Sequence, residues 1–266
     1  MGFFSARGIR LHYRDTGTGL PVLLLHAFPL SGAMFDSQVA ALSAQARFII
    51  PDHRGFAESS LGEGPATMED LAEDALLLLD HLHIPAAVVG GLSMGGYASL
   101  ALLRRDPGRV RGLILADTQM GADDDGARAL RETLAQEVLR SGMEVLVERQ
   151  LPRFLGPRAP EDVLRRVAAI MRANPPAGAA AALRGMALRS DSRDILARFS
   201  GPVLVVVGAQ DVLTPPEKAR AMAAVASEAT LVEIPEAGHL SNLERPEAFN
   251  NALERFFHER FKGPLP

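Results

Sequence analysis

Three residues of this chain have the types and the order of a serine-based nucleophilic site. Ser93 is the centre of a Gly-x-Ser-x-Gly pattern at residues 91–95, and Asp211 and His239 follow later in the chain. A serine hydroxyl is a weak nucleophile near neutral pH, so it needs an imidazole to take its proton and a carboxylate to orient that imidazole. The three residue types therefore predict acyl-transfer chemistry with Ser93 as the nucleophile.

The setting of Ser93 is typical of a tight turn between a strand and a helix. Such a turn holds the serine Oγ out at the edge of a sheet, and the N-terminus of the following helix favours developing negative charge. Gly91 and Gly95 would leave room for the neighbouring backbone. A small residue between two glycines can instead serve only close packing, but an acid and a histidine downstream favour the nucleophile.

Asp211 and His239 each come after an apolar run typical of a buried strand. Residues 203–207 precede Asp211, and residues 231–234 precede His239, which also follows a glycine. Asp211 could instead only cap the helix that starts near Pro215. A lone histidine is more often a surface residue than a base. The position of each residue after its own strand favours the catalytic interpretation.

A rival for the acid is Asp117, at the end of the predicted strand at residues 112–116. This aspartate could equally begin the turn into the segment that follows. We therefore expect Asp211 to be the acid and keep Asp117 as the alternative.

An acyl-transfer site also needs two backbone N–H groups that bind the oxyanion. One comes from the residue after the nucleophile and the other from a loop after an early strand. Met94 follows Ser93, and Phe28 lies in the loop after the apolar run at residues 22–25. We expect these two amides to form the oxyanion hole and the Phe28 ring to help wall the pocket.

Composition limits the classes of partner and cofactor. The chain has 266 residues, 47% of them hydrophobic, and a net charge of −4 without a long Lys/Arg run. This composition is enough for a substantial core, and it argues against nucleic acid or an anionic membrane as a partner. A small neutral or anionic metabolite is the more natural partner, and homo-oligomerisation is possible. We expect neither a metal nor another cofactor.

Cysteine is absent, which excludes disulfides, thiolate metal sites and a cysteine nucleophile. The N-terminal residues lack the basic start, apolar stretch and cleavage site of a secretory signal. The chain also lacks the roughly 20 consecutive apolar residues of a membrane helix. A cytoplasmic location is therefore the expectation.

Strand-like and helix-like segments alternate on both sides of a different middle region. The predicted strands are residues 9–14, 22–25, 47–51, 87–90, 112–116, 203–207 and 230–234. The predicted helices are residues 67–81, 95–105, 216–226 and 246–261. Apolar runs separated by helices indicate an α/β fold with a parallel sheet covered on both faces.

The middle region, residues 121–199, has no convincing strand. It is rich in Ala, Arg and Leu at helical spacing and is interrupted by prolines. We interpret it as several short helices inserted into a core domain made of residues 1–120 and 200–266. An insertion after a strand end is well placed to be a lid over a ligand site. The alternative is a helical packing subdomain that does not contact substrate.

The chain resembles the α/β-hydrolase superfamily of serine hydrolases over essentially its whole length. Residues 26–29 are similar to the family's His-Gly-x-Pro loop, with Ala27 in place of glycine, and residues 52–59 to its Asp-x-Arg-Gly-x-Gly-x-Ser loop, with Ala57 in place of glycine. Each departure adds one methyl group, so we expect local backbone shifts and intact chemistry. The resemblance implies a mostly parallel eight-stranded sheet, helices on both faces, a helical lid and the triad order Ser, Asp, His.

Residues 90–97 and 237–246 look like the 3-oxoadipate enol-lactonases and similar carboxylesterases. The resemblance implies hydrolysis of a carboxylic ester or lactone through an acyl-enzyme. Three alternatives stay open: a cofactor-free, haloperoxidase-like perhydrolase, a carbon–carbon bond hydrolase, and a non-catalytic ligand receptor of the same fold. Dehalogenases of this fold are excluded, because they have a carboxylate where Ser93 stands.

Several residues near the predicted site are candidates for contact with the substrate. His26, Arg54 and Leu240 are candidates because they lie in the loops next to the predicted site. Arg54 could bind a substrate carboxylate or could tie loops together. Three arginines of the inserted region could also bind such a group, or could lie on solvated helix faces: Arg149, Arg153 and Arg172.

Overall fold

Eight strands form one sheet in residues 1–261, the part of the chain that the computed structural model describes. The strands are β1 (Gly2–Ala6), β2 (Ile9–Thr16), β3 (Leu20–Leu25), β4 (Ala46–Pro51), β5 (Ala87–Leu92), β6 (Val110–Ala116), β7 (Val203–Gly208) and β8 (Ala229–Ile234). Their order across the sheet is β1-β2-β4-β3-β5-β6-β7-β8. Only β2 runs antiparallel to both of its neighbours, and β3 to β8 are parallel. The predicted, mostly parallel eight-stranded sheet is confirmed.

The central strands are buried at nearly every position, which explains their continuous apolar sequence. Every residue of β5 and of β7 is buried. A strand that is covered on both faces has no solvated side, so its side chains do not alternate between apolar and polar. The carboxyl ends of these two strands lead directly into the segments that carry Ser93 and Asp211.

Helices cover the sheet and build the inserted region. They are α1 (Asp36–Leu42), α2 (Met68–His81), α3 (Met94–Arg105), α4 (Asp125–Ser141), α5 (Glu144–Phe154), α6 (Glu161–Arg172), α7 (Pro176–Ala187), α8 (Arg193–Arg198), α9 (Pro216–Val225), α10 (Ser241–Glu244) and α11 (Pro246–Arg260). The predicted start of α2 is confirmed, because Thr67 Oγ1 accepts a hydrogen bond of 3.1 Å from the Asp70 amide. Among these described helices, none combines the length and the apolar character that a bilayer crossing requires.

Two elements near the N-terminus were not predicted from the sequence. Strand β1 is an edge strand with one buried residue, and it pairs with β2 through a turn at Arg7 and Gly8, which both have positive φ. Helix α1 has only seven residues. Short elements with few buried side chains carry a weak periodic signal.

Residues 121–199, all of which are described, contain five helices and no strand. Asn174 joins this region to the loops of the sheet domain. Its Nδ2 donates to the Pro29 carbonyl at 2.9 Å, and its Oδ1 accepts from the Ala57 amide at 2.8 Å. Ala57 has a φ of 47°, so alanine occupies a left-handed conformation that glycine favours.

The predicted core domain extends to residue 266, but residues 262–266 lie outside the described residues.

Candidate active site

Ser93 stands in a strained turn between β5 and α3. Its φ of 55° and ψ of −113° are unusual for a residue other than glycine. The Ser93 amide donates to the Ala116 carbonyl at 2.9 Å, and the Thr118 hydroxyl donates to the Ser93 carbonyl at 2.8 Å. Gly91 and Gly95 pack against backbone so closely that neither position has room for a Cβ. The local sequence therefore encodes the sharp turn that exposes the serine hydroxyl.

The structure brings the three predicted catalytic side chains together. The Nε2 of His239 lies 2.9 Å from the Oγ of Ser93, and the Nδ1 of His239 lies 2.7 Å from the Oδ2 of Asp211. In this arrangement Nδ1–H donates to the carboxylate and Nε2 accepts from the serine hydroxyl. The geometry is that of a proton relay from the serine to the imidazole.

Asp211 is held by its own loop in an ionised form. Its Oδ1 accepts from the amides of Leu213 and Thr214 at 2.8 and 3.0 Å, and its Oδ2 accepts from the Thr214 hydroxyl at 2.7 Å. Burial disfavours the charge, but the neighbouring His239 and these hydrogen bonds outweigh it and lower the pKa of Asp211 below its ordinary value. A carboxylate that stays ionised can orient the imidazole throughout the neutral range.

The rival acid, Asp117, is used differently. Its Oδ1 accepts from the Gly208 amide at 2.8 Å, and its Oδ2 accepts from the Ser241 hydroxyl at 2.5 Å. Burial, together with the charge of Asp211, raises the pKa of Asp117 well above its ordinary value. Asp117 therefore joins the end of β7 to the segment after His239.

A cavity of about 440 Å³ opens beside Ser93 and His239. Residues from α4, α5 and α7 form much of its lining, so the inserted region forms one side of the space beside Ser93. The apolar part of the lining includes Phe28, Tyr97, Leu134, Phe154, Leu183 and Met186. The space is suited to a small molecule with an apolar body.

Three arginines line the same cavity. Arg131 pairs with Asp123 at 2.5 Å, and the guanidinium of Arg149 pairs with Glu137 at 3.1 Å. The third, Arg153, takes part in no ion pair with another of the described residues. Arg172 pairs with Glu144 at 2.6 Å and does not line the cavity. Arg153 is thus the arginine whose charge is available to a bound molecule.

Arg54, a candidate substrate contact, does not line the cavity. Its Nε and Nη2 donate to the two carboxylate oxygens of Asp74 at 2.8 and 2.7 Å, and both side chains are buried. Asp74 therefore occupies one edge of this guanidinium, and Nη1 lies 3.5 Å from the Asp70 carboxylate. The alternative interpretation, in which Arg54 ties loops together, fits this position.

His26 and Leu240 also lie outside the lining of the cavity. The Nε2 of His26 accepts from the His53 amide at 2.9 Å, and its Nδ1 lies 3.0 Å from the Ala27 carbonyl. Burial lowers the pKa of His26, so its ring is a neutral link between two loops. Leu240 is fully buried, and its amide donates to the Phe154 carbonyl at 3.1 Å. Neither side chain lines the cavity beside Ser93, so their assignment to substrate binding stays a prediction.

Two contributors were not singled out from the sequence. The Phe154 ring stacks on the His239 imidazole, with centroids 5.9 Å apart and planes at 21°. Thr214 supports the carboxylate of Asp211. A threonine three residues after a suspected catalytic aspartate is a usable signal for such a turn, whereas nothing local to Phe154 indicates its contact with His239.

Among the described residues, no group of three or more His, Cys, Asp or Glu side chains could hold a metal ion.

Comparison with known proteins decides the family. A family model described as the alpha/beta hydrolase fold matches residues 21–246. The chain belongs to this family. It is 31% identical over 94% of its length to 3-oxoadipate enol-lactonase 2 of Acinetobacter baylyi, of which 94% is covered. The family resemblance drawn from the motifs is confirmed.

Solved structures of this hydrolase family are similar over nearly the whole chain. A thermophilic esterase from Thermogutta terrifontis, described with malate bound, is 41% identical, with a TM-score of 0.93 over 97% of this chain and 96% of that one. An enol-lactonase from Burkholderia xenovorans is 29% identical, with a TM-score of 0.88 over 97% of this chain and 100% of that one.

Proposed function

We propose that this hydrolase cleaves carboxylic esters or lactones through an acyl-enzyme on Ser93. The observation that carries this proposal is the pair of contacts at His239, 2.9 Å to the Ser93 hydroxyl and 2.7 Å to the Asp211 carboxylate. The similarity to proteins named as an esterase and as enol-lactonases supports the same reaction class.

Acylation begins when the Nε2 of His239 takes the hydroxyl proton and the Ser93 Oγ attacks the carbonyl carbon. The carbonyl oxygen becomes an oxyanion, and Asp211 stabilises the imidazolium. When the tetrahedral intermediate collapses, the bond to the leaving oxygen breaks and His239 returns its proton to that oxygen. Water then repeats the sequence on the acyl-enzyme and releases an acid, or a hydroxy or keto acid when the substrate is a lactone.

Phe28 and Met94 donate the amides that bind the oxyanion. The Met94 amide is the first of α3, where the helix N-terminus favours negative charge. Phe28 lines the cavity together with Ser93. Within residues 1–261, neither amide donates to a backbone carbonyl, so both are available to a substrate oxygen. Such donors typically contribute about 3 kcal/mol of transition-state stabilisation.

The substrate is a small ester or lactone bound between the sheet domain and the inserted region. In this proposal residues 121–199 act as the cap, which is supported by the cavity lining from α4, α5 and α7. A substrate that carries a carboxylate away from the scissile bond would meet Arg153. A charged hydrogen bond there is about twice as strong as a neutral one.

The test compares Ser93→Ala with the wild-type protein in hydrolysis of short p-nitrophenyl esters and in labelling by an organophosphonate. We expect Ser93→Ala to abolish both. Ser99→Ala is the matched control, because the Ser99 hydroxyl is buried on α3 and donates to the Gly95 carbonyl at 2.8 Å. Undiminished activity in Ser93→Ala would contradict the proposal. Ligand binding without multiple turnovers would instead indicate the receptor alternative.

A further inference from the structure

Glu244 is a buried carboxylate whose two oxygens bind the backbone of two separate segments. Its Oε1 accepts from the Gly238 amide at 2.7 Å, and its Oε2 accepts from the Gly156 amide at 2.7 Å. Only 3% of Glu244 is exposed. A buried carboxylate is costly unless it is hydrogen-bonded, so this arrangement joins the two segments through one side chain.

The two segments also touch each other directly. A Cβ on Gly238 would lie 2.6 Å from the Gly156 amide nitrogen, and a Cβ on Gly156 would lie 2.8 Å from the Gln210 Oε1 and 3.1 Å from the Glu244 Oε2. A Cβ on Gly238 would force the backbone at Gly156 to move, and a Cβ on Gly156 would displace the ends of the Gln210 and Glu244 side chains. The end of cap helix α5 is therefore packed tightly on the loop that carries His239.

His239 lies between the points at which these segments are joined. Gly238 precedes it and is held by Glu244, and Leu240 follows it and donates its amide to the Phe154 carbonyl at 3.1 Å. The Phe154 ring stacks on the imidazole itself. Glu244 makes no hydrogen bond to the imidazole, and its contact with the His239 loop is through the Gly238 backbone.

We propose that Glu244 is a positioning residue that couples the cap to the catalytic histidine, by holding Gly156 of the cap against Gly238 and so keeping Phe154 and His239 stacked. This inference rests on the proposed function, because it assigns Glu244 a role in the reaction at Ser93. The end of α5 is then a fixed part of the catalytic site. Loss of the junction leaves the pocket in place but lets the imidazole move relative to the Ser93 hydroxyl.

The experiment measures how fast an organophosphonate labels Ser93 and what fraction of the protein it labels. Glu244→Gln replaces one acceptor oxygen by an amide group that cannot accept, and Gly156→Ala disturbs the same junction from the cap side. Gly121→Ala is the matched control, because a Cβ at Gly121 meets no atom within 4 Å. The same variants are assayed for kcat and KM with p-nitrophenyl acetate.

We expect both junction variants to label completely but roughly ten-fold or more slowly, since a misplacement of about 1 Å can cost about 100-fold. Their kcat should fall by a similar factor, with KM within about two-fold of wild type, because ground-state binding is not changed. Gly121→Ala should match wild type. The combined variant should be about as slow as the slower single variant, because both changes act on one junction.

Other outcomes overturn the inference. A smaller labelled fraction with the wild-type rate constant would mean that Glu244 only supports folding. A wild-type rate in Gly156→Ala would mean that the cap is not coupled to His239, and this variant decides the question if Glu244→Gln fails to fold. Absence of labelling in the wild-type protein would contradict the proposed function instead, so the two failures are distinguishable.

Discussion

The hydroxyl of Ser241 donates a hydrogen bond of 2.5 Å to the Oδ2 of Asp117, and this contact separates the roles of the two buried aspartates. Asp117 is engaged by Ser241 and by the Gly208 amide, whereas Asp211 lies 2.7 Å from the Nδ1 of His239. Asp117 therefore connects the end of β7 to the segment after His239, whereas Asp211 is the carboxylate that contacts the imidazole.

The first prediction follows from these two roles. Asp211→Asn should lower kcat on the order of 10⁴-fold, because an amide no longer orients or stabilises the imidazolium. Asp117→Asn should stay within about ten-fold of wild type, because its side-chain oxygen can still accept from Gly208 and only about 1 kcal/mol of hydrogen bonding is lost. Hydrolysis of p-nitrophenyl acetate measures both. An Asp117→Asn variant as impaired as Asp211→Asn would make Asp117 the acid.

The second prediction concerns pH and stability. Burial and the charge of Asp211 raise the folded-state pKa of Asp117 well above the ordinary 3.8. Between these two pKa values the folded protein binds more protons than the unfolded chain, so this group's contribution to the free energy of unfolding falls as pH rises.

Asp117→Asn removes that contribution. The free energy of unfolding of wild type minus that of Asp117→Asn should therefore decrease as pH rises from about 4, and should become constant above the folded-state pKa. Urea unfolding over a series of pH values measures this difference. A difference that is independent of pH, or that increases with pH, would contradict the assigned direction.

The third prediction tests the charge in the cavity. Arg153→Gln should lower kcat/KM for p-nitrophenyl hemisuccinate by about ten-fold or more, because a hydrogen bond to a charged group contributes about 1.5–3 kcal/mol. The neutral p-nitrophenyl pentanoate should change little. Arg172→Gln is the control, because Arg172 pairs with Glu144 outside the cavity lining. An equal loss for both esters in Arg153→Gln would count against a carboxylate contact.

The fourth prediction concerns Arg54. Arg54→Met leaves the buried carboxylate of Asp74 without its partner, so the free energy of unfolding should fall by about 3–5 kcal/mol. The ratio of kcat/KM for hemisuccinate and pentanoate esters should not change. Replacing both residues, as Arg54→Met with Asp74→Leu, should recover much of the stability. A selective loss of hemisuccinate hydrolysis in Arg54→Met would instead support a role of Arg54 in substrate binding.

Local sequence was sufficient for the turn at Ser93 and for most of the sheet. Buried parallel strands are continuous apolar runs, and a strained turn with close backbone contacts requires glycine, as at Gly91 and Gly95. These requirements act within a few residues, so they are visible without the fold. Strand β1 was missed because an edge strand with a single buried residue satisfies neither pattern.

The contact partners of polar side chains could not be predicted from local sequence in the same way. Arg54 and Arg153 are both arginines in segments that flank the site, yet one is paired with Asp74 in the interior and the other faces the cavity. His26 was chosen for its loop and is held there by the His53 amide. Which partner a side chain finds depends on residues far away in the chain, and a single sequence does not show which of them meet.

The sequence by itself determined the family and indicated the candidate nucleophile and the order of the candidate triad, because strand ends and glycine turns place these residues at one edge of the sheet. Only the tertiary structure decided which aspartate faces His239, which arginine lines the cavity and that Glu244 joins the cap to the histidine loop. The physical reason is the distance along the chain over which each kind of interaction acts. Backbone conformation follows from neighbours in the chain, whereas hydrogen bonds and ion pairs of buried side chains form between segments that meet only after folding.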